Sequence, residues 1–552
     1  MHETSRDGDS GGSPMTPEWT RDRVPKIALE MDTAGHKETW ETREHQGARS
    51  PCRLAAIRVV TEQSPGCLPH KQQQRVGTMG GCCSPKCRLI SGLVVSALVL
   101  VLGGVLIPIG DHIISSTVTE EAVLINGTVA FDAWVQSPSD VYRQFWFFNV
   151  TNSEEFSLQS NSSVKPKLKQ LGPYTYKVRH LAKDKLKYHP NDSVSYVLPQ
   201  QAIFLRDMSV GPEEDLITSI NMVASALPVI MGLPRILNDI YKSINTSIFH
   251  TRTVRELLWG YKDPILESVP IPGIDSTFGL FYPYNGSNDG IYTIFTGQGD
   301  ISRVAIIHEW KNNKYMNFWP DESCDRIKGT DGSSFPPFLN KKNQLEFFSS
   351  DVCRNLVAEF YQTRKLKGID VYRFLLPTSL LSASNKNTAN HCYCTKYLNQ
   401  TGCTRDGVLD ISSCKGGAPV FISLPHFLDG SRVYIDAVEG LEPNREEHET
   451  YLDVEPTTGI TLSVTKRIQI NILLQPVEKI DIFKNVPQDY IFPIIWLNET
   501  GTLGDDSAKA FREALTIPMH ALYSVQITLM TVGSIGIVVT PIVYFSVKSC
   551  KR

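Results

Sequence analysis

Six cysteines, Cys324, Cys353, Cys392, Cys394, Cys403 and Cys414, fall within one stretch of this 552-residue chain. Thiols so dense either pair as disulfides or hold a metal. An even set in an oxidising compartment reads as three disulfides, with the pairing open. Zinc needs reduced thiols and usually C-x2-C spacing, which the set lacks. Cys392 and Cys394 are two residues apart, so in a strand they point oppositely and each seeks a distant partner. No metal site and no cofactor are expected. Hydrolytic chemistry finds no support either. His448-Glu449-Thr450-Tyr451-Leu452 opens like a zinc-protease motif but lacks the second histidine. Gly533-Ser534-Ile535-Gly536 is no nucleophile elbow and lies inside an apolar run. His426 reads as a packed histidine. The chain is not expected to be an enzyme.

Two further sets are modifiable. N-x-S/T occurs at Asn126, Asn149, Asn161, Asn191, Asn245, Asn285, Asn399 and Asn498, all between two long apolar runs. Such sequons are glycan acceptors outside the cytosol. Cys82, Cys83, Cys87 and Cys550 lie beyond the runs. Juxtamembrane cysteines are candidates for palmitoylation, with free thiols as the alternative. From Met79 the chain reads MGGCCS, which fits a myristoylation pattern if translation starts there. Residues 1–78 are polar and aperiodic, and such a segment cannot offset its ordering entropy. They are expected to be a disordered extension, with Met79 an alternative start.

The elements that must position these residues begin with the apolar runs. Leu89 to Gly110 carries no charge. About 20 apolar residues span the roughly 30 Å of bilayer hydrocarbon, and a helix satisfies its own backbone there. Residues 519–547 form the second run, with Pro541 expected to kink it. Lys86, Arg88, Lys548, Lys551 and Arg552 flank the runs, and basic ends stay cytoplasmic. The chain is thus expected to be a membrane hairpin: residues 79–88 cytoplasmic, 89–110 and 519–547 spanning, 548–552 a cytoplasmic tail, and 111–518 a glycosylated, disulfide-bonded ectodomain. Net charge is −3, so no basic excess points to nucleic acid.

Within the ectodomain, Val118 to Phe131 reads as extended chain, followed by strands at Tyr142–Val150, Leu171–Val178 and Val194–Leu205. Texture turns helical from Pro212 to Tyr261, with a helix start at Glu213-Glu214-Asp215 and helices over 221–231, 235–249 and 253–261. Arg235, Lys242, Arg252, Arg255 and Lys262 ride on this block, as a solvated face or as a cationic patch for an anionic ligand. Short strands with Gly, Asn and Pro turns then return, the pattern of an antiparallel β domain. The clearest strand is Ile460 to Gln475. Its even positions are apolar except Lys466 and its odd positions through Asn471 are polar. Lys466 marks a bulge, reaches water, or meets a ligand carboxylate in a cavity.

Several ordered blocks carry a resemblance: VYRQFW, GPYTY, RELLWGYKDP, GLFYPYN, SFPPF, LEFFSSDVCR, CYCT, SLPHFL, YLDVEPTTG and WLNETGTLGDD. From Met79 onward the chain resembles the class B scavenger receptors, most closely their platelet glycoprotein IV/fatty acid translocase branch. The resemblance implies an α+β membrane protein. Two transmembrane helices would bracket a large antiparallel β-barrel-like ectodomain with a helical apex, about 212–261, and an internal lipid tunnel. It implies the pairing Cys324–Cys392, Cys353–Cys414 and Cys394–Cys403. It also implies long-chain fatty acids, oxidised low-density lipoprotein, thrombospondin and collagen as ligands, with Src-family kinases inside the cell. The thrombospondin segment would fall around Lys183 to Val210. The family's apical Lys-x-Lys pair falls here on Ser243 and Asn245, beside Lys242. Arg235, Lys242, Arg252 and Lys466 are the expected ligand-binding cations. The expected protein is a plasma-membrane receptor, also in Golgi and lipid rafts, that takes up lipid. The alternative is an adhesion receptor with no lipid path, which a solid core would favour.

Overall fold

A computed structural model describes residues 85–137, 139–158, 164–269, 275–394 and 403–550. The expected extension, Met79, Cys82, Cys83, Asn161, Asn399, Lys551 and Arg552 lie outside these residues.

Two helices, Pro85–Glu121 and Asp505–Cys550, are long and apolar enough to cross a membrane. The first is about 55 Å long at 1.5 Å per residue, so it overshoots the hydrocarbon by several turns. The second contains a π-helical stretch at Arg512–Thr516. They pack closely through small residues. Gly103 backs onto Met530, Gly533 onto the Leu100 backbone, Gly536 onto Ser96 and Gly92 onto Thr540. Without a hydrophobic force between helices in lipid, such close approach and polar contacts hold the pair. Gln526 supplies one: its Nε2 donates to the Leu106 carbonyl at 2.8 Å. The remaining faces, such as Val94, Leu98, Ile535 and Val538, stay exposed.

Between the helices stands an eleven-stranded antiparallel sheet. Its main path runs Gln344–Ser349, Arg354–Leu366, Ile369–Leu375, Tyr451–Val454, Thr461–Leu474, Tyr490–Thr502, Val141–Val150, Leu168–His180 and Gln200–Phe204. The short Leu409–Asp410 strand pairs with Val420–Ser423, which also pairs with Thr461–Leu474. The two ends of the path do not pair, so the sheet is barrel-like only loosely. A bulge between Phe145 and Phe147 turns Phe145, Phe147 and Phe148 all into the core. Gly172 sits opposite with φ 151°, where a Cβ would lie 2.5 Å from the Phe145 carbonyl oxygen. A four-stranded sheet joins Ile307–Trp310, Ile291–Phe295, Ser193–Val197 and Asp184–His189.

Several local expectations are corrected. The first helix continues to Glu121, and Val129–Val135 is helical, capped by Thr128, where extended chain was expected. Burial of Phe131 and Trp134, three residues apart, selects that helix. Val194 to Leu205 is two strands in different sheets, split at Leu198-Pro199. Glu213 to Asp215 opens no helix. Tyr176 donates to Glu213 at 2.6 Å and Tyr174 to Asp215 at 2.9 Å, and a strand, Leu216–Ile220, follows. The helix expected over 235–249 runs only Pro234–Ser243, and Asn245 adopts φ 54°. Phe249 then starts a strand paired with Leu216–Ile220. Cys392 lies in a 3-10 turn, not a strand. By contrast, Met222–Met231 is a buried helix capped by Asn221, and Val254–Trp259 carries a full capping box from Thr253 and Glu256.

Candidate functional site

The Thr461–Leu474 strand is covered on both faces. Several of its polar positions are buried: Gln469 and Asn471 have no exposure. Asn471 Nδ2 donates to the Phe421 carbonyl at 3.2 Å and to Ser423 Oγ at 3.0 Å, and His426 N donates to Gln469 Oε1 at 2.7 Å. Full satisfaction makes a buried polar face tolerable. The apolar positions Val464, Ile468 and Ile470 are only half-buried because they line a cavity.

That cavity has a volume of about 1610 Å³. Ordinary small-molecule pockets hold roughly 300–1,000 Å³. Its lining starts at the Met222–Met231 helix with Val223, Leu227 and Ile230. It passes Ile468 and Ile470, and reaches Thr117 and Val118 of the first spanning helix and Ala514 and Leu515 of the second. An apolar hollow thus joins the helical block to the tops of the membrane helices.

One level of the wall is charged. Register places Arg143 and Lys466 on either side of Glu499 in three neighbouring strands. Arg143 Nε donates to Glu499 Oε2 at 2.6 Å. The Lys466 ammonium donates to Asp351 Oδ2. Burial pulls the Lys466 ammonium down, but Asp351 and Glu499 more than offset it, and its pKa ends above the usual lysine value. Lys466, then Arg143 and Lys415, hold the Asp351 carboxyl well below the usual range. Burial pushes Glu499 up, and Arg143 and Lys466 overcome it. Lys466 therefore does face the cavity, but a protein carboxylate already meets it. Lys415 also lines the cavity, and burial lowers its pKa. A disulfide between Cys353 and Cys414 ties the Asp351 turn to the Lys415 turn.

The other expected cations do not converge. Lys242 pairs with Asp481 at 2.6 Å. Arg252 contacts Glu256 at 3.7 Å and lies 4.3 Å over the Tyr261 ring. Arg255 pairs with Glu213 and Glu214, and Lys262 with Asp275. Arg235 is exposed and has no ion pair among the described residues. Among the described residues, most cations of the helical block are therefore already paired, some with carboxylates from outside the block. Lys183, at the start of the segment expected to take thrombospondin, instead lines the cavity. Its Nζ donates to the Trp134 carbonyl at 2.5 Å, and burial lowers its pKa to about 8.

The structure also joins Cys324 to Cys392 and Cys394 to Cys403. Asn126, Asn191, Asn245 and Asn285 are exposed, and Asn149 is half-buried. Asn498 is buried in the central sheet and donates from Nδ2 to Gln144 Oε1 at 3.1 Å. Cys87 and Cys550 are exposed at the outer ends of the two long helices. His426 and His448 stack at 4.5 Å. The His426 Nδ1 accepts from Glu442 N, so its Nε2 donates to Gln170, which also accepts from Trp496 Nε1. Both nitrogens are thus occupied in a structural role.

The residues missed by sequence reasoning are Arg143, Asp351, Lys415 and Glu499. Arg143 and Glu499 carried one signal, each being the single charged residue of its strand. Asp351 and Lys415 sit in turns and carried none.

The sequence pattern of the CD36 family matches residues 94–544. The chain belongs to the CD36 family. The match begins and ends inside the two long helices, so the CD36-family region is the hairpin with its ectodomain. Lysosome membrane protein 2 of Homo sapiens is 36% identical over 448 residues, 79% of this chain and 90% of that protein. Scavenger receptor class B member 1 of Cricetulus griseus is 30% identical over 480 residues, 84% of this chain and 91% of that protein. These CD36-family relatives are named as a membrane protein and a receptor, and the chain is a two-span membrane protein of that scavenger-receptor family.

Proposed function

We propose that this chain is a cell-surface scavenger receptor that binds long-chain fatty acids and the lipid of oxidised low-density lipoprotein, and passes acyl chains toward the bilayer. The observation that carries this reading is the apolar cavity from the Met222–Met231 helix to the tops of both membrane helices. An acyl chain of about fifteen methylenes is favoured there by on the order of 12 kcal/mol over water. A hollow centre supports lipid handling over adhesion alone. Basic residues Lys86, Arg88 and Lys548 support cytoplasmic termini. Thrombospondin, collagen and Src-family kinases enter this reading through the family resemblance. The test is fatty-acid binding to the full chain in uncharged nanodiscs, with Ile468→Trp filling the cavity. Binding should weaken about tenfold, equivalent to losing about two methylene contacts. Unchanged binding by this variant refutes the reading.

A further inference from the structure

The charged level of the cavity wall does not balance. Arg143 is matched by Glu499 and Lys466 by Asp351. Lys415 lines the same cavity, and among the described residues no carboxylate forms an ion pair with it. Asp351 acts on it only through space, while Lys311 and Lys466 add like charge nearby. Its backbone is anchored beside this level, because it follows Cys414, which is bonded to Cys353, two residues beyond Asp351. A cation held in a mostly apolar wall without a counter-ion is unfavourable, and an incoming anion relieves that.

We propose that Lys415 is a head-group subsite within the cavity, taking the carboxylate or phosphate of a single-chain anionic amphiphile. The Arg143–Glu499 and Lys466–Asp351 pairs border it as fixed walls, and the apolar lining at Ile468 and Ile470 receives the tail. The site selects anionic amphiphiles over neutral ones of equal length. This inference rests on the reading of the cavity as a lipid site.

The test measures binding of hexadecanoate, hexadecyl phosphate and methyl hexadecanoate to the full chain in uncharged nanodiscs. Wild type should favour the anions over the ester by about tenfold, the factor equivalent to about 1.4 kcal/mol. Lys415→Met should bind the ester as wild type does and lose the preference for anions. Lys415→Arg should keep it. A preference for hexadecanoate alone or hexadecyl phosphate alone identifies the head group. Retention of the full anion preference by Lys415→Met overturns the subsite. If the ester binds and Ile468→Trp weakens it about tenfold, the lipid reading stands whichever way Lys415 behaves. If none of the three probes binds wild type, both proposals fall.

Discussion

Substitution at Gly103 tests the pairing of the membrane helices, which sets the floor of the cavity. A Cβ at Gly103 would lie 2.9 Å from Met530 N and 3.1 Å from Leu529 Cβ. Ordinary contact begins near 3.5 Å, so Gly103→Ala must move the helices apart by about half an ångström. Gly104, one residue on, has nothing within 4 Å of its Cβ position. Helix propensity favours alanine at both sites by about 1 kcal/mol, so propensity alone predicts two equal variants. Overpacking costs about 1–3 kcal/mol and applies to Gly103 only. A cysteine pair at Gly92 and Thr540 reports the distance, since their Cβ atoms would be 3.8 Å apart, inside the disulfide range. With Cys52, Cys67, Cys82, Cys83, Cys87 and Cys550 changed to serine and a protease site placed before Cys324, only this cross-link joins the two fragments on a denaturing gel. Cross-linking should be about tenfold slower in Gly103→Ala and unchanged in Gly104→Ala. Equal rates in the two variants would show that the glycine contacts do not hold the pair.

Three more outcomes are expected. Asn126→Gln, Asn191→Gln, Asn245→Gln and Asn285→Gln should each increase gel mobility by one glycan, whereas Asn498→Gln should not, because Asn498 is buried in the sheet. Burial lowers the pKa of His426 to about 3 and of His448 to about 4, so below pH about 6.5 the unfolded chain binds more protons than the folded one. Through these two histidines stability should be level above that pH and fall between about 6.5 and 4, by up to about 1.4 kcal/mol per unit for each group; a urea midpoint equal at pH 7.5 and 5 contradicts this. Replacing Cys353 and Cys414 with serine opens a loop with a sequence separation of 61 and should cost on the order of 4 kcal/mol, read as a lower denaturation midpoint.

The hairpin was legible because bilayer thickness sets a length that Leu89 to Gly110 meets by itself. The alternation from Ile460 to Gln475 was legible as a strand, but its wet face was not. A cavity wants apolar side chains on its open side, and the polar positions Gln469 and Asn471 were buried by partners distant in sequence at Phe421, Ser423 and His426. The Glu213 to Asp215 run looked like a helix start until Tyr174 and Tyr176 claimed two of its carboxylates. Lys466 announced itself as a violation of period two. Its partner Asp351 lies 115 residues away, and only the fold brings that carboxylate near. The pairing of the helical block's cations was hidden for the same reason, since Asp481, 239 residues further along the chain, reaches Lys242.

The length of the hollow has a kinetic consequence for the proposed lipid path. A tail moving from Leu227 toward Leu515 exchanges one oily wall for another, so its free energy is nearly level over most of the route. The ring at Arg143, Lys466 and Lys415 breaks that levelness for the head. On the proposed lipid path, throughput is set by how long the head dwells at this level, not by how tightly the whole molecule is held. As with ions in a pore, a grip strong enough to admit cargo must remain weak enough to release it. Tightening the grip at this level would raise affinity and slow delivery together.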